Sequence, residues 1–308
     1  MQLDSRQLAA FATVLREGSF DAAARALHVT PSAISQRIKA LEDRLGRVLI
    51  RRGVPARATE AGEALERHAR QLALLEQEAL AGFGLAGADG AAMRVRSRGA
   101  APALPVAIAV NADSLATWFM PALVAACEVH PLRYDLHVED QDHSSALLRQ
   151  GRVMAAVTAD PRAVQGCRVE PLGRMRYLAV ASPAFAARNF AGGVDEASLG
   201  AAPVCVFNAK DELQARFLRR LVRRRVDPPV HRIPSTHGFI HAALHGLGWG
   251  MNPEMLVAPL VASGALVEIA PGEDLEVPLF WQAWRLDTPL LATLSSAVRD
   301  AARQALVH

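Results

Sequence analysis

Apolar residues near the start of the chain recur at helical spacing. Leu3, Leu8, Phe11, Val14 and Leu15 lie on one face of a helix that Gly18 ends. Ser19 is placed to cap a short second helix, Phe20 to Leu27, and His28 and Val29 make a turn. Thr30 then stands as an N-cap, with Pro31 at the first helical position, where its missing N–H removes no intrahelical bond. Ile34, Ile38, Leu41 and Leu45 form the buried stripe of this third helix, and Gly46 stops it. VLIRRGVPARATEAG follows as short strands with a turn at Gly53-Val54-Pro55. Helix, short helix, turn, helix and β-ribbon together predict a winged helix-turn-helix.

From Thr59 the pattern becomes one long helix, with Glu60 and Glu63 in its first turns, where the macrodipole favours acids. Leu65, Ala69, Leu72, Leu75 and Ala79 form a near-heptad stripe, as expected of a two-helix dimer seam. A helix packed on its own domain is the alternative. Residues 82–104 are rich in Gly and Ala and carry Arg94, Arg96 and Arg98, the composition of a flexible linker. Strand-like and helix-like stretches then alternate: PVAIAV, a helix from Ser114 to Val129, YDLHVED, a helix from Ser144 to Gln150, VMAAVT, RYLAVAS, PVCVFN, helices over Asp211–Arg225 and Thr236–His245, and PLFWQAW before a last helix. Such alternation predicts an α/β domain with a mostly parallel sheet. RYLAVAS and PLFWQAW mark where the chain crosses between two lobes and returns.

Composition narrows the function. None of the apolar runs among the 308 residues reaches the ~18 that a membrane helix needs. MQLDSRQLAAF has no apolar core of a secretory signal. Cys127, Cys167 and Cys205 are too scattered for a disulfide framework or a zinc site, so a reducing cytoplasm is expected; a winged helix-turn-helix protein is expected to associate there with the nucleoid. Residues 1–59 hold ten Arg or Lys against five acids, a balance of +5, whereas residues 60–78 hold five Glu against two Arg, −3. A polyanion partner is therefore expected for the N-terminal block alone.

The third helix explains that charge. In a helix-turn-helix the second helix of the motif enters the major groove. Opposite Ile34, Ile38 and Leu41 it presents Ser32, Ala33, Gln36 and Arg37, flanked by Lys39 and preceded by Thr30. Gln pairs with adenine, Arg with guanine, and Ala or Thr methyls meet thymine. Arg51, Arg52 and Arg57 on the ribbon suit backbone or minor-groove contacts.

FDAAARALHVTPSAISQRIKALEDRLGRVLIRR, followed by TEAG, resembles the N-terminal signature of LysR-type transcriptional regulators over roughly residues 3–80. NADSLATWF (111–119), VEDQDHS (138–144), RYLAVAS (176–182) and GLGWGMNPE (246–254) resemble the ArgP/LysG subgroup, regulators of basic amino-acid export. The resemblance implies an α-helical winged helix-turn-helix with a long linker helix, plus an α/β two-lobed, periplasmic-binding-protein-like effector domain. It implies a homodimer or homotetramer on an interrupted palindrome of double-stranded DNA, with RNA polymerase as a further partner, and no enzymatic activity. Ile50 and Arg51, and the long stretch at 86–103, depart from the usual pattern. The expected division is residues 1–59 for DNA binding, 60–81 for the linker and dimerisation helix, 82–104 for the flexible linker and 105–308 for the effector domain. Within the last, lobe I covers about 105–175 and 276–308, and lobe II about 176–275.

Ligands of α/β sheets sit beyond the C-terminal ends of strands. Asn111, Asp113 and Ser114 follow the first strand of the effector domain, Asp140 and Asp142 the next, and Thr158 ends VMAAVT; Asn208, Thr236 and His237 come from the other lobe. Ser114 and Thr236 suit an α-carboxylate, and Asp113 and Asp142 an ammonium or guanidinium. That set favours lysine or arginine as effector. The same acids and hydroxyls also fit plain helix N-caps. A different small effector, or an effector-independent binder acting at a replication origin, remains open at this level. A pyridoxal-phosphate regulator would need a Schiff-base lysine, and Lys210 alone is on offer beyond residue 39. No cofactor and no metal are expected: His237, His241 and His245 lie along successive turns of one helix, too far apart for one ion. The Arg-rich stretch 216–225 is expected to be a solvated amphipathic face, and the four Trp and three Cys to be core.

Overall fold

The computed structural model describes residues 3–82, 104–138, 141–222 and 226–308. Residues 83–103 lie outside that set, with Arg94, Arg96, Arg98 and nearly all of the expected linker; so do Asp140, Arg223, Arg224 and Arg225.

Three helices, α1 (Ser5–Glu17), α2 (Phe20–Ala26) and α3 (Pro31–Leu45), pack around Phe11, Val14, Ala23, Ile34, Ile38 and Leu41. Their ends are set locally. The Asp4 carboxylate accepts from the N–H groups of Arg6 and Gln7, Ser19 Oγ from Ala22, and Thr30 Oγ1 from Ala33, while Gly18 and Gly46 take left-handed conformations at the other ends. Strands β1 (Ile50–Arg51) and β2 (Arg57–Ala58) pair antiparallel as the wing. Glu42 Oε1 ties the wing to α3, accepting from Leu49 N at 2.8 Å and Ile50 N at 3.3 Å.

The long helix α4 (Glu60–Gly82) starts against the wing. Any Cβ at Gly62 would run into the Leu49 carbonyl oxygen, so only glycine admits this approach. Farther along, α4 lies on the base of the second domain. Arg67 Nη1 donates to Gln165 O at 2.9 Å, Gln150 Nε2 to Glu63 Oε1 at 3.3 Å, and Leu290 N to Glu78 Oε1 at 3.1 Å. Leu74 enters the second domain's core. Gly151, at φ 70°, sits where a Cβ would stand 2.6 Å from Arg67 Cα.

The second domain continues with β3 (Leu104–Val110), α5 (Ala112–Ala116), α6 (Phe119–Val129), β4 (Leu132–Val138), α7 (Gln141–Arg149), β5 (Ala155–Thr158) and β6 (Cys167–Ala181). Then come α8 (Pro183–Asn189), α9 (Glu196–Ala201), β7 (Val204–Val206), α10 (Leu213–Leu221), β8 (Val230–Arg232), α11 (Thr236–Leu244), β9 (Gly250–Pro253), α12 (Glu254–Ala262), β10 (Val267–Glu268), β11 (Leu275–Trp284) and α13 (Pro289–Ala305). The main sheet has the order β10-β6-β11-β5-β3-β4, with β9 also on β6. It is mixed, not mostly parallel. β3 pairs parallel with β4 and β5, but β6 and β11 pair antiparallel from Leu275–Tyr177 to Trp284–Cys167. A chain that crosses between lobes and returns must run the two crossing strands in opposite directions, and strand–helix alternation does not register that. β7 and β8 form a small parallel pair in the second lobe.

Other departures are local. The expected helix from Ser114 to Val129 is two helices, because Asn111 caps α5 and the chain breaks at Thr117. The helix expected over Asp211–Arg225 is described only as Leu213–Leu221, with Gln214, Phe217 and Leu218 buried and Arg219 and Arg220 exposed. Trp118, Trp249, Trp281 and Trp284 are buried. Cys167 and Cys205 are buried and their thiols pushed up to about 11 by burial, but Cys127 is exposed, on the outer side of α6. Among the described residues no helix is long and apolar enough to cross a membrane.

Candidate functional site

The outer face of α3 carries Ser32, Gln36 and Lys39 exposed, with Ala33 and Arg37 half-buried beside them. Thr30 is exposed but engaged, since its hydroxyl caps Ala33 N and lies 2.9 Å from Ser32 Oγ. Arg51, Arg52 and Arg57 are exposed on the wing. The Arg52 guanidinium lies over the Phe20 ring, 5.4 Å from its centroid, a cation–π contact between the wing and the start of α2. Exposed polar and cationic side chains on α3 and on the wing are groups of the kind that fit a major groove and its flanking phosphates.

The second site lies between the lobes. Asn111 Oδ1 accepts from Ser114 N at 2.7 Å, so Asn111, and not Asp113 or Ser114, is the helix cap. Asp113 is left to face the cleft. Its Oδ1 accepts from Thr236 Oγ1 at 2.6 Å and its Oδ2 from Tyr177 Oη at 2.8 Å. Thr236 opens α11 in the second lobe, and Tyr177 lies on the crossing strand β6, so one carboxylate gathers groups from both sides. Burial pushes the Asp113 carboxyl above the usual carboxylate range; the hydrogen bonds from Thr236 and Tyr177 oppose that, and the charge of Asp211 adds to it.

The other expected residues divide. Ser114 is buried, with its Oγ unpartnered. Thr158 is buried at the end of β5 and its Oγ1 accepts from Asp160 N at 3.1 Å, a turn contact. Asn208 Oδ1 accepts from Lys210 N at 2.8 Å. His237 is exposed at the start of α11. Asp142 stands in the first turn of α7, but its side chain, like the whole of Asp140, lies outside the described residues. His241 and His245 stack at 6.3 Å, and no cluster of three metal-ligating side chains occurs among the described residues. Along α4, Leu65 packs on the DNA-binding core and Ala69 is buried, whereas Leu72 is half-buried and Leu75 and Ala79 are exposed.

A cavity of about 90 Å³ opens beside Asp113 and Thr236. Asp211, Gln214, Asn252 and Phe239 line it, none of them singled out by the sequence patterns. Asp211 accepts from Phe207 N at 2.8 Å and Leu213 N at 3.0 Å, which orients its carboxylate. Gln214 Oε1 and Asn252 Oδ1 are buried acceptors without a partner. The only sequence signals were a polar residue inside the apolar face of α10 and an Asn within GLGWGMNPE. Two carboxylates and two unused amide oxygens around one small space favour a cation rich in N–H donors.

Comparison with known proteins matches both domains. Residues 5–63 match the bacterial regulatory helix-turn-helix protein, lysR family, and residues 100–306 the LysR substrate binding domain. The HTH-type transcriptional regulator LysG of Mycobacterium tuberculosis is 49% identical over 301 residues, covering 98% of this chain and 94% of its own. The crystal structure of ArgP from Mycobacterium tuberculosis superposes with a TM-score of 0.88 at 47% identity, covering 99% of both chains. Full-length LysG from Corynebacterium glutamicum with bound effector Arg superposes with a TM-score of 0.81 at 39% identity, over 99% of this chain and 100% of that one. With both domains matched and relatives alike over nearly its whole length, the chain belongs to the LysR family of DNA-binding transcriptional regulators.

Proposed function

We propose that the protein is a regulator whose DNA binding responds to a basic amino acid, lysine or arginine. The observation that carries this is the acceptor-lined cleft around Asp113, in which Thr236 and Tyr177 meet one carboxylate and the remaining buried acceptors have no partner. The arginine bound to the Corynebacterium glutamicum relative supports it. Of the cleft residues, Asp113, Ser114 and Thr236 are the ones assigned to the effector, with Asp142 retained as a second acid. Ser32, Ala33, Gln36 and Arg37 read bases, with Thr30, Lys39, Arg51, Arg52 and Arg57 in support. Residues 1–59, 60–81, 82–104 and 105–308 serve as DNA-binding domain, dimerisation helix, linker and effector domain. The protein works in the cytoplasm as a homodimer or tetramer on an interrupted palindrome and acts through RNA polymerase.

The test is to select binding sites from random duplex DNA with the full-length protein and footprint the best of them with and without amino acids. Lysine or arginine should change the footprint or its affinity, and norleucine should not. A footprint indifferent to every amino acid would replace this account with effector-independent binding.

A further inference from the structure

We propose that Asp211, Gln214 and Asn252 form the subsite that reads the effector's terminal cation, while Asp113 chiefly latches the two lobes. This rests on the basic-amino-acid reading and assigns its selectivity to residues of the second lobe.

Both Asp113 oxygens are already engaged, by Thr236 at 2.6 Å and Tyr177 at 2.8 Å, and those partners come from α11 and β6. That geometry closes the cleft; the side chain pointing into the adjoining cavity has to be read by what else lines it. Gln214 is 3% exposed and Asn252 0%, and each carries a buried oxygen without a donor. The Asn252 orientation is set by its own contact, because Nδ2 donates to Gly250 O at 3.1 Å and so must be the nitrogen. Its Oδ1 is therefore an acceptor. The carboxylate of Asp211 is held by two backbone N–H groups and lines the same space. A buried acceptor left unpaired is unfavourable, so native structures retain few of them away from functional sites. Here two occur around one cavity, beside a full negative charge. A guanidinium or ammonium supplies the missing donors and the countercharge together; a methyl group supplies neither. Phe239 and Met251 close the apolar side and suit the methylene stem of the same side chain.

The experiment is calorimetric titration of the full-length protein with L-arginine, L-lysine and L-norleucine, for wild type, Gln214→Leu and Gln214→Glu. Leucine removes a buried, unpartnered acceptor while keeping an apolar volume on α10, so the fold is retained. Arginine affinity should fall ~10-fold or more in Gln214→Leu, the equivalent of one hydrogen bond to a charged group, with norleucine unchanged or tighter. Gln214→Glu keeps the acceptor, adds charge and should preserve the preference for basic side chains. If wild type prefers arginine but Gln214→Leu keeps the same arginine-to-norleucine ratio, the subsite is overturned and the effector reading stands. If wild type binds norleucine as well as arginine, both are overturned.

Discussion

At the residue scale, two side chains with the same charge are proposed to do different work on DNA. Arg37 is half-buried on the reading face of α3, whereas Arg52 is exposed on the wing and stacked on Phe20. Arg37→Ala should therefore weaken operator binding by ~1–3 kcal/mol and relax preference at one base pair. Arg52→Ala should weaken all sequences alike and lower the salt slope by about one unit. Anisotropy titrations on operator and random DNA over a range of salt separate them; equal loss on both for Arg37→Ala contradicts base reading. In the cleft, Asp113 gives a pH test. Its carboxyl is raised by burial, so the folded protein keeps this proton at a pH where the unfolded chain has lost it. Its contribution to stability is thus full below the ordinary carboxylate range and is lost as pH rises through the raised value. A bound cation favours the ionised form, so arginine binding in mildly acid buffer should release protons and weaken as pH falls. Calorimetry in buffers of different ionisation enthalpy reads the release; proton uptake would contradict it.

At the scale of elements, α4 has two different faces. Glu63, Arg67, Leu74 and Glu78 meet the effector domain, while Leu75 and Leu80 remain 42% and 45% exposed and Leu72 is half-buried beside them. Leu72, Leu75 and Ala79 keep the three–four spacing of the proposed helix–helix seam, whereas Leu65, at the start of the same apolar stripe, packs on the DNA-binding core. Leu72→Asp should place a charge in the seam, giving monomers that bind one half-site weakly. Sedimentation of the full-length variant checks this, and an unchanged mass refutes the seam. What was legible from sequence follows the same division. The caps at Ser19 and Thr30 and the buried stripe of α3 are encoded within a turn or two of chain, and they stand where periodicity and cap chemistry place them. The contact of α4 with Gln165 and Leu290 pairs residues 98 and 212 positions apart, and no local pattern carries such information.

At the scale of the whole molecule, the same limit governs the cleft. Asp113 was visible as an acid beyond a strand, but its partners Tyr177 and Thr236 lie 64 and 123 positions away and become neighbours only through the crossing of β6 and β11. Asp211, Gln214 and Asn252 were hidden because they come from the turn before α10, from α10 itself and from β9, separate stretches of one lobe that meet only at the cavity, and each alone looks like a cap or a stray polar residue. The resulting molecule joins a basic reading head to a cleft of acceptors through one helix that touches both. Its central claim is that this cleft takes a basic amino acid, and thermal unfolding of the full-length protein tests it most directly. At a hundredfold excess over its dissociation constant, arginine or lysine should stabilise the fold by ~2.7 kcal/mol, with norleucine doing far less. No shift with either basic amino acid, or an equal shift with norleucine, would contradict the account.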